Sequence, residues 1–353
     1  MALDTYESAH DDVRMVFQRR TIWSQSEMSL RGIKCYEVPG TINDILVNAL
    51  PDWGSSVDAI SEDFAKQHGI QIAATKPHSI ALLGGHVVQS IGLVFGHFRF
   101  QGDSCGHHRV FHVLSKSVYD VILGKTFLDQ TRTLTEFCHR IVEKFRPCIQ
   151  KGSRLFLMDE SPKDRLRCAV NGVKASAIPD TGSDLMLVSG DFARRNNLEM
   201  RREKEFRRLV ELIDGSIIYT DGMVLNAKLQ FDAPPAPSRE LNYDQYVKFA
   251  AGLYSFKNQG RTKTRQVTFI CDLYVLEDLP CDIILSNEFI FQNQVFSRFK
   301  NLFYSESVDK SLSGNAFLDD SLLYIRLKRP RFSRLRRWCR PPQNSNTSEF
   351  SLF

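Results

Sequence analysis

Ile178-Pro179-Asp180-Thr181-Gly182-Ser183 is the stretch on which the fold of this 353-residue chain turns. The apolar segment Ala175 to Pro179 leads into it, and Leu185 to Val188 leads out. An altered copy stands 128 positions earlier, as Leu50-Pro51-Asp52-Trp53-Gly54-Ser55. At the same offset Ile60 to Lys66 lies over Val188 to Arg194. Ser61 and Ser189 read as N-caps of a short helix, and Gly69 and Asn197 suit its left-handed exit.

The repeat continues. Leu83-Gly84-Gly85-His86-Val87 pairs with Ile213-Asp214-Gly215-Ser216-Ile217, each reading as a hairpin with a glycine in its turn. Asp120-Val121-Ile122-Leu123-Gly124 pairs with Asp282-Ile283-Ile284-Leu285-Ser286, with a second helix expected after each. The offset grows from 130 to 162 between these pairs, which predicts a surface excursion at about 232–263, rich in proline at its start. The expected plan is an N-terminal extension (1–29), a degenerate copy (30–149), a fuller copy (150–325) and a basic tail (326–353). Tyr6 to Arg20 reads as an amphipathic helix.

Composition bounds the rest. At 42% hydrophobic and 25% charged, the chain is neither collagen-like nor disordered. No run of about 18 apolar residues stands in it, so no membrane helix is expected. The first twenty residues lack a secretory pattern, and the eight cysteines form no CxxC pair. That favours reduced thiols in the cytoplasm or nucleus. The net charge of +5 belongs to the tail, since 326–340 carries eight Arg or Lys and no acid. A solvated, disordered tail is expected there, with nucleic-acid contact possible only through it. Gly102-Asp103-Ser104-Cys105-Gly106 matches a serine-hydrolase elbow formally, but alternating strands flank it, so it reads as a hairpin turn. His97, His107, His108 and His112 do not share one face, so no metal and no cofactor are expected.

The order of parts (strand, Asp-Thr-Gly-Ser, short helix, glycine hairpin, Ile-Leu-Gly strand) resembles retropepsin-like aspartic proteases of retroviruses and gypsy-type retrotransposons. Joined copies of this kind resemble proteins of filamentous fungi. The resemblance implies a mainly β fold: acid-protease-like closed barrels, two tandem lobes about a pseudo-dyad. It implies an intracellular endopeptidase in which two carboxylates share a proton and activate a water. Carried over residue by residue, Asp180 and Asp52 are the catalytic pair and Thr181 braces their loops. Gly182, Ser183, Asp184, Gly54 and Ser55 face the substrate, with Gly85 and Gly215 at the flap tips. The partner is a peptide or protein substrate, and the chain is a monomer with a pseudo-dimer inside it. A homodimer using two copies of Asp180 and an inactive peptide- or protein-binding scaffold are the alternatives.

Six positions depart from the pattern, among them Pro51 and Pro179, where an apolar residue with a free amide is usual. Trp53 has no hydroxyl and is expected either to displace the partner loop or to project into the cleft. Ser286 replaces a glycine. Copy one keeps the base Lys125 but has Ser56 for its acid, and copy two keeps Asp184 but has Asn287 for its base.

Overall fold

Val87–Phe100 alternates exposed and buried side chains along almost its whole length, the period-two signature of a strand with one face in a core. It forms an antiparallel hairpin with His107–Leu114, and Gly102 to Ser104 lie in the turn between them. In the computed structural model the described residues are 32–83, 86–146, 152–158, 164–233 and 265–305, with the backbone of 14–17. The expected basic tail and nearly all of the 232–263 excursion lie outside them.

The protein is mainly β and is built on two closed six-stranded barrels. Around the first, the order is Val87–Phe100, His107–Leu114, Ala59–Ser61, Val121–Gly124, Ile45–Asp52, Ile33–Ile42, and back to Val87–Phe100. Around the second it is Gly222–Ala233, Arg265–Leu276, Leu187–Ser189, Ile283–Leu285, Val173–Pro179, Asp164–Val170, and back to Gly222–Ala233. The neighbour relations match strand for strand. Closure pairs each ring strand on both sides over part of its length, and the stretches that extend beyond the ring take further strands.

Local chemistry explains the shared helices. Ser61 Oγ accepts from Phe64 N at 3.0 Å, and Ser189 Oγ accepts from Phe192 N at 3.0 Å. These caps start Glu62–Gln67 and Gly190–Arg195. Gly69 and Asn197 take φ of +63° and +52°, the left-handed exits expected of them. Further helices, Lys125–Gln130 and Asn287–Gln292, follow the apolar strands. Ser286, where the first half has Gly124, supplies an N-cap hydroxyl to Phe289 N that Gly124 cannot.

One expectation of secondary structure fails. Within 6–20, Arg14–Phe17 is a strand, not a helix, and pairs in parallel with Val267 to Ile270. It covers a free stretch of the long strand Arg265–Leu276, and edge backbone groups reward that pairing more than a helical turn does. Among the described residues no helix is long and apolar enough to cross a membrane. The six described cysteines are free thiols.

Candidate functional site

Two parallel strand pairs deliver the two aspartates. Asp52 ends Ile45–Asp52, paired to Val121–Gly124 with Asp52 opposite Gly124. Asp180 follows Val173–Pro179, paired to Ile283–Leu285, and its amide donates to the Leu285 carbonyl at 3.1 Å. Each carboxylate then folds back on its own loop. Asp52 Oδ1 accepts from Gly54 N at 2.8 Å, and Asp180 Oδ1 accepts from Gly182 N at 2.9 Å.

The loops meet. A Cβ on Gly54 would lie 2.5 Å from Asp180 Oδ1 and 3.1 Å from Asp52 Oδ1. The two oxygens are therefore no further apart than the sum of those distances, inside the roughly 6 Å beyond which proton sharing fails. A Cβ on Gly182 would lie 3.0 Å from Asp52 Oδ2. A Cβ at Gly54 would displace the opposite carboxyl, and one at Gly182 would press on it.

Both carboxyls are fully buried, and the Oδ2 atom of each has no hydrogen-bond partner. Burial raises the affinity of Asp52 for a proton well above the ordinary carboxylate range, and the charge of Asp180 adds to the effect. Burial likewise pushes Asp180 up to about 7. The two carboxyls are within hydrogen-bonding reach of each other, so they titrate as a pair.

Thr181 braces the loops from one side. Its hydroxyl accepts from Trp53 N at 2.7 Å and donates to the Pro51 carbonyl at 2.7 Å. Trp53 does neither of the two things expected of it. Its indole turns away from the carboxylates into the core, tilted against Phe296 at 5.2 Å and edge-on to Phe303 at 5.8 Å. Nε1 donates to Asp129 Oδ1 at 3.0 Å, and Lys125 Nζ sits 4.7 Å from the ring centroid. The partner loop keeps its place because an apolar pocket from the second half takes the bulk.

The missing charge partners are replaced across the halves. Lys125 pairs with Asp164. Asp184 pairs with Arg146 and accepts from Asn287 Nδ2 at 3.2 Å. Ser55 and Ser183 take equivalent places, each accepting a backbone amide two residues on and donating to that residue's carbonyl. Each also accepts at its own carbonyl from the start of a helix, from Lys125 N and Asn287 N respectively. Gly215 takes φ +80° at its hairpin tip, where Leu212 N donates to Ser216 O at 2.9 Å. Gly85 lies outside the described residues, although its hairpin is set by Leu82 N donating to His86 O at 2.7 Å.

Ser153-Arg154-Leu155-Phe156-Leu157-Met158, which the sequence pattern places only at the start of the second copy, lies against both loops. Four successive large apolar residues between Gly152 and Asp159 were the available signal, the mark of a strand buried on both faces. Arg146 and Glu211 were also missed, being ordinary surface-type charges until the fold buries them.

No protein-family profile matches the chain, and no curated protein matches it. Among solved structures, the retroviral protease-like domain of Ddi1 from Leishmania major is similar at 21% identity and a TM-score of 0.22. The overlay covers 28% of this chain and 76% of that one. A likeness this slight adds nothing to the barrels and loops described above.

Proposed function

We propose that the chain is an aspartic endopeptidase that carries both carboxylates of its catalytic pair, Asp52 and Asp180, in one polypeptide. The observation behind this reading is the pair itself: two buried carboxyls, each packed against the other loop's glycine, each with an unpartnered oxygen. One proton shared between them leaves one member ionised. That member takes a proton from a bound water, and the protonated member polarises the scissile carbonyl. The resulting oxygen nucleophile adds to the carbonyl carbon, and the amine leaves with a proton. Thr181 and Trp53 N hold the loops so that this geometry is made before substrate arrives.

The test is hydrolysis of an extended-peptide library from about pH 3.5 to 7, with a bell-shaped profile expected. Asp180→Asn and a pepstatin-type inhibitor must each abolish it. Cleavage that survives both removes the mechanism.

A second reading, a catalytically inactive scaffold that binds peptides, is favoured by one specific observation. Leu155 to Met158 are at most 3% exposed and lie against the same loops a substrate would need. Protein with no activity at any pH, but with saturable peptide binding, would establish that reading instead.

A further inference from the structure

The segment Gly152–Met158 joins the two halves, and its backbone is held by both. At one end, Arg154 O accepts from Asp184 N at 2.8 Å, and Arg154 N donates to Asp184 Oδ2 at 2.7 Å. At the other, Met158 N donates to Gly54 O at 3.1 Å, and Met158 O accepts from Ser56 N at 2.9 Å. Asp184 stands four residues after Asp180, and Ser56 stands four residues after Asp52. Equivalent amides of the two loops therefore grip the carbonyls of residues 154 and 158. The carbonyl midway between them belongs to Phe156, which brings the Phe156–Leu157 peptide into register with the carboxylate pair.

The other face of the segment is a sheet. Ser153–Arg154 adds as a parallel strand to Leu209–Glu211, itself antiparallel to Ile217–Tyr219, the second hairpin arm. Leu155 N donates to Glu211 O at 3.1 Å. A Cβ on Gly152 would run into the Leu209 carbonyl, so the approach needs glycine. The side chains enter one apolar cluster with Leu82 and Leu83 of the first hairpin and Leu212 and Ile213 of the second. Phe156 meets the Tyr119 ring edge-on at 5.8 Å. Arg154 Nε donates to the fully buried Glu211 at 3.2 Å.

We propose that the cleft is a peptide-binding site occupied in cis by this inter-half segment. The site takes an extended peptide with a basic residue followed by four large apolar residues, read in one chain direction only. An external peptide enters when Arg154–Met158 leaves. The direction is built in: the Asp184 carboxylate accepts an N–H at one end, while the Ser56 hydroxyl donates to the Met158 carbonyl at 3.2 Å at the other. Loop gripping on one face, strand addition on the other and side-chain burial between them are the general means of holding an extended peptide.

The proposal rests on reading the cleft as a peptide site but not on hydrolysis, so it is tested by binding, in the Asp180→Asn background. Recognition sequences for a site-specific endoprotease are placed within 147–151 and within 159–163 of the full chain. Cutting both leaves the segment held without covalent ties. The probe is fluorescein-labelled Gly-Ser-Arg-Leu-Phe-Leu-Met. The doubly cut protein should bind it saturably and release the native segment, seen by mass spectrometry. The intact chain should bind it about 100-fold more weakly, because its competent state is scarce. The peptide of reversed order should not compete. Equal binding by intact and cut chains, no exchange over a day, or equal competition by the reversed peptide overturns the proposal. Should the cut chain unfold, the intact Arg154→Ala chain carries the test, because it weakens the cis segment and leaves the site unchanged, and it must gain probe binding about 10-fold for the proposal to stand. Binding in this background with no hydrolysis by the parent chain would sink the catalytic reading alone, and hydrolysis by the parent chain with no probe exchange would sink this one alone.

Discussion

Trp53→Thr would give the first loop the threonine that stands in the second, and by analogy with Thr181 it is expected to tighten the loops. The packing around the indole predicts the opposite. Trp53 is 6% exposed and fills a pocket lined by Phe296 and Phe303, so truncation leaves a cavity worth about 3–5 kcal/mol. The Nε1 donation to Asp129 is lost as well, about 1 kcal/mol. Lys125 loses its aromatic face, about 0.5–1 kcal/mol. Against these stands one new hydroxyl bond to the opposite loop, at about 1 kcal/mol. The net is a loss of about 3.5–6 kcal/mol, or roughly 7–24 °C in Tm at about 2–4 °C per kcal/mol. Trp53→Phe should lose less than half of that. Urea titration with a fixed m-value and a calorimetric melt read both variants. A Trp53→Thr protein as stable as the parent, or more so, would refute the claim that the indole is a core residue.

Thr181→Val strands the buried Trp53 amide and Pro51 carbonyl, costing about 2–5 kcal/mol, whereas Thr181→Ser keeps both bonds; equal melting points for the two variants would contradict the one-sided brace. Arg146→Met leaves Asp184 buried beside Asn287 without its cation, a loss of about 3–5 kcal/mol, and adding Asp184→Asn should recover part of it in a double-mutant cycle. The carboxyl pair gives a pH signature. With Asp180 raised to about 7 in the fold, the native state holds a proton that the unfolded chain has released above about pH 4. Stability from this source is complete below that pH and is lost as pH rises to about 7, with a slope up to about 1.4 kcal/mol per pH unit for each proton. Urea midpoints between pH 4 and 8 should fall less steeply in Asp180→Asn than in the parent; parallel curves would exclude a shared buried proton.

The barrels were legible because each element carried a local signal. Ser61 and Ser189 announced caps, Gly69 and Asn197 announced exits, and the paired apolar strands needed burial on both faces. What escaped was set by contacts between halves. Nothing local in Trp53 reveals Phe296 and Phe303, which lie more than two hundred residues on. Arg146 and Asp184 find each other only once the barrels are closed. The strand at Arg14–Phe17 is formed by a distant edge, not by its own periodicity. The apolar run Leu155 to Met158 was visible, yet its place between two loops and two hairpins belongs to tertiary structure.

The unequal halves follow a physical logic. A peptide has a direction, and a two-fold axis does not. A dimer of identical chains must offer the same side chain to both ends of a bound peptide, although one end presents an N–H and the other a C=O. A fused chain is released from that constraint. Here the acceptor Asp184 faces the Arg154 N–H, and the donor Ser56 faces the Met158 carbonyl. The position that reads as a lost acid in the first half is therefore complementary to the Met158 carbonyl, and an aspartate there would set two acceptors against each other. The same freedom accounts for the brace. Once one hydroxyl, that of Thr181, satisfies the Trp53 amide and the Pro51 carbonyl, residue 53 is free to serve the core. At 53, 56 and 286, where the two halves differ, each side chain has a partner of its own in this structure.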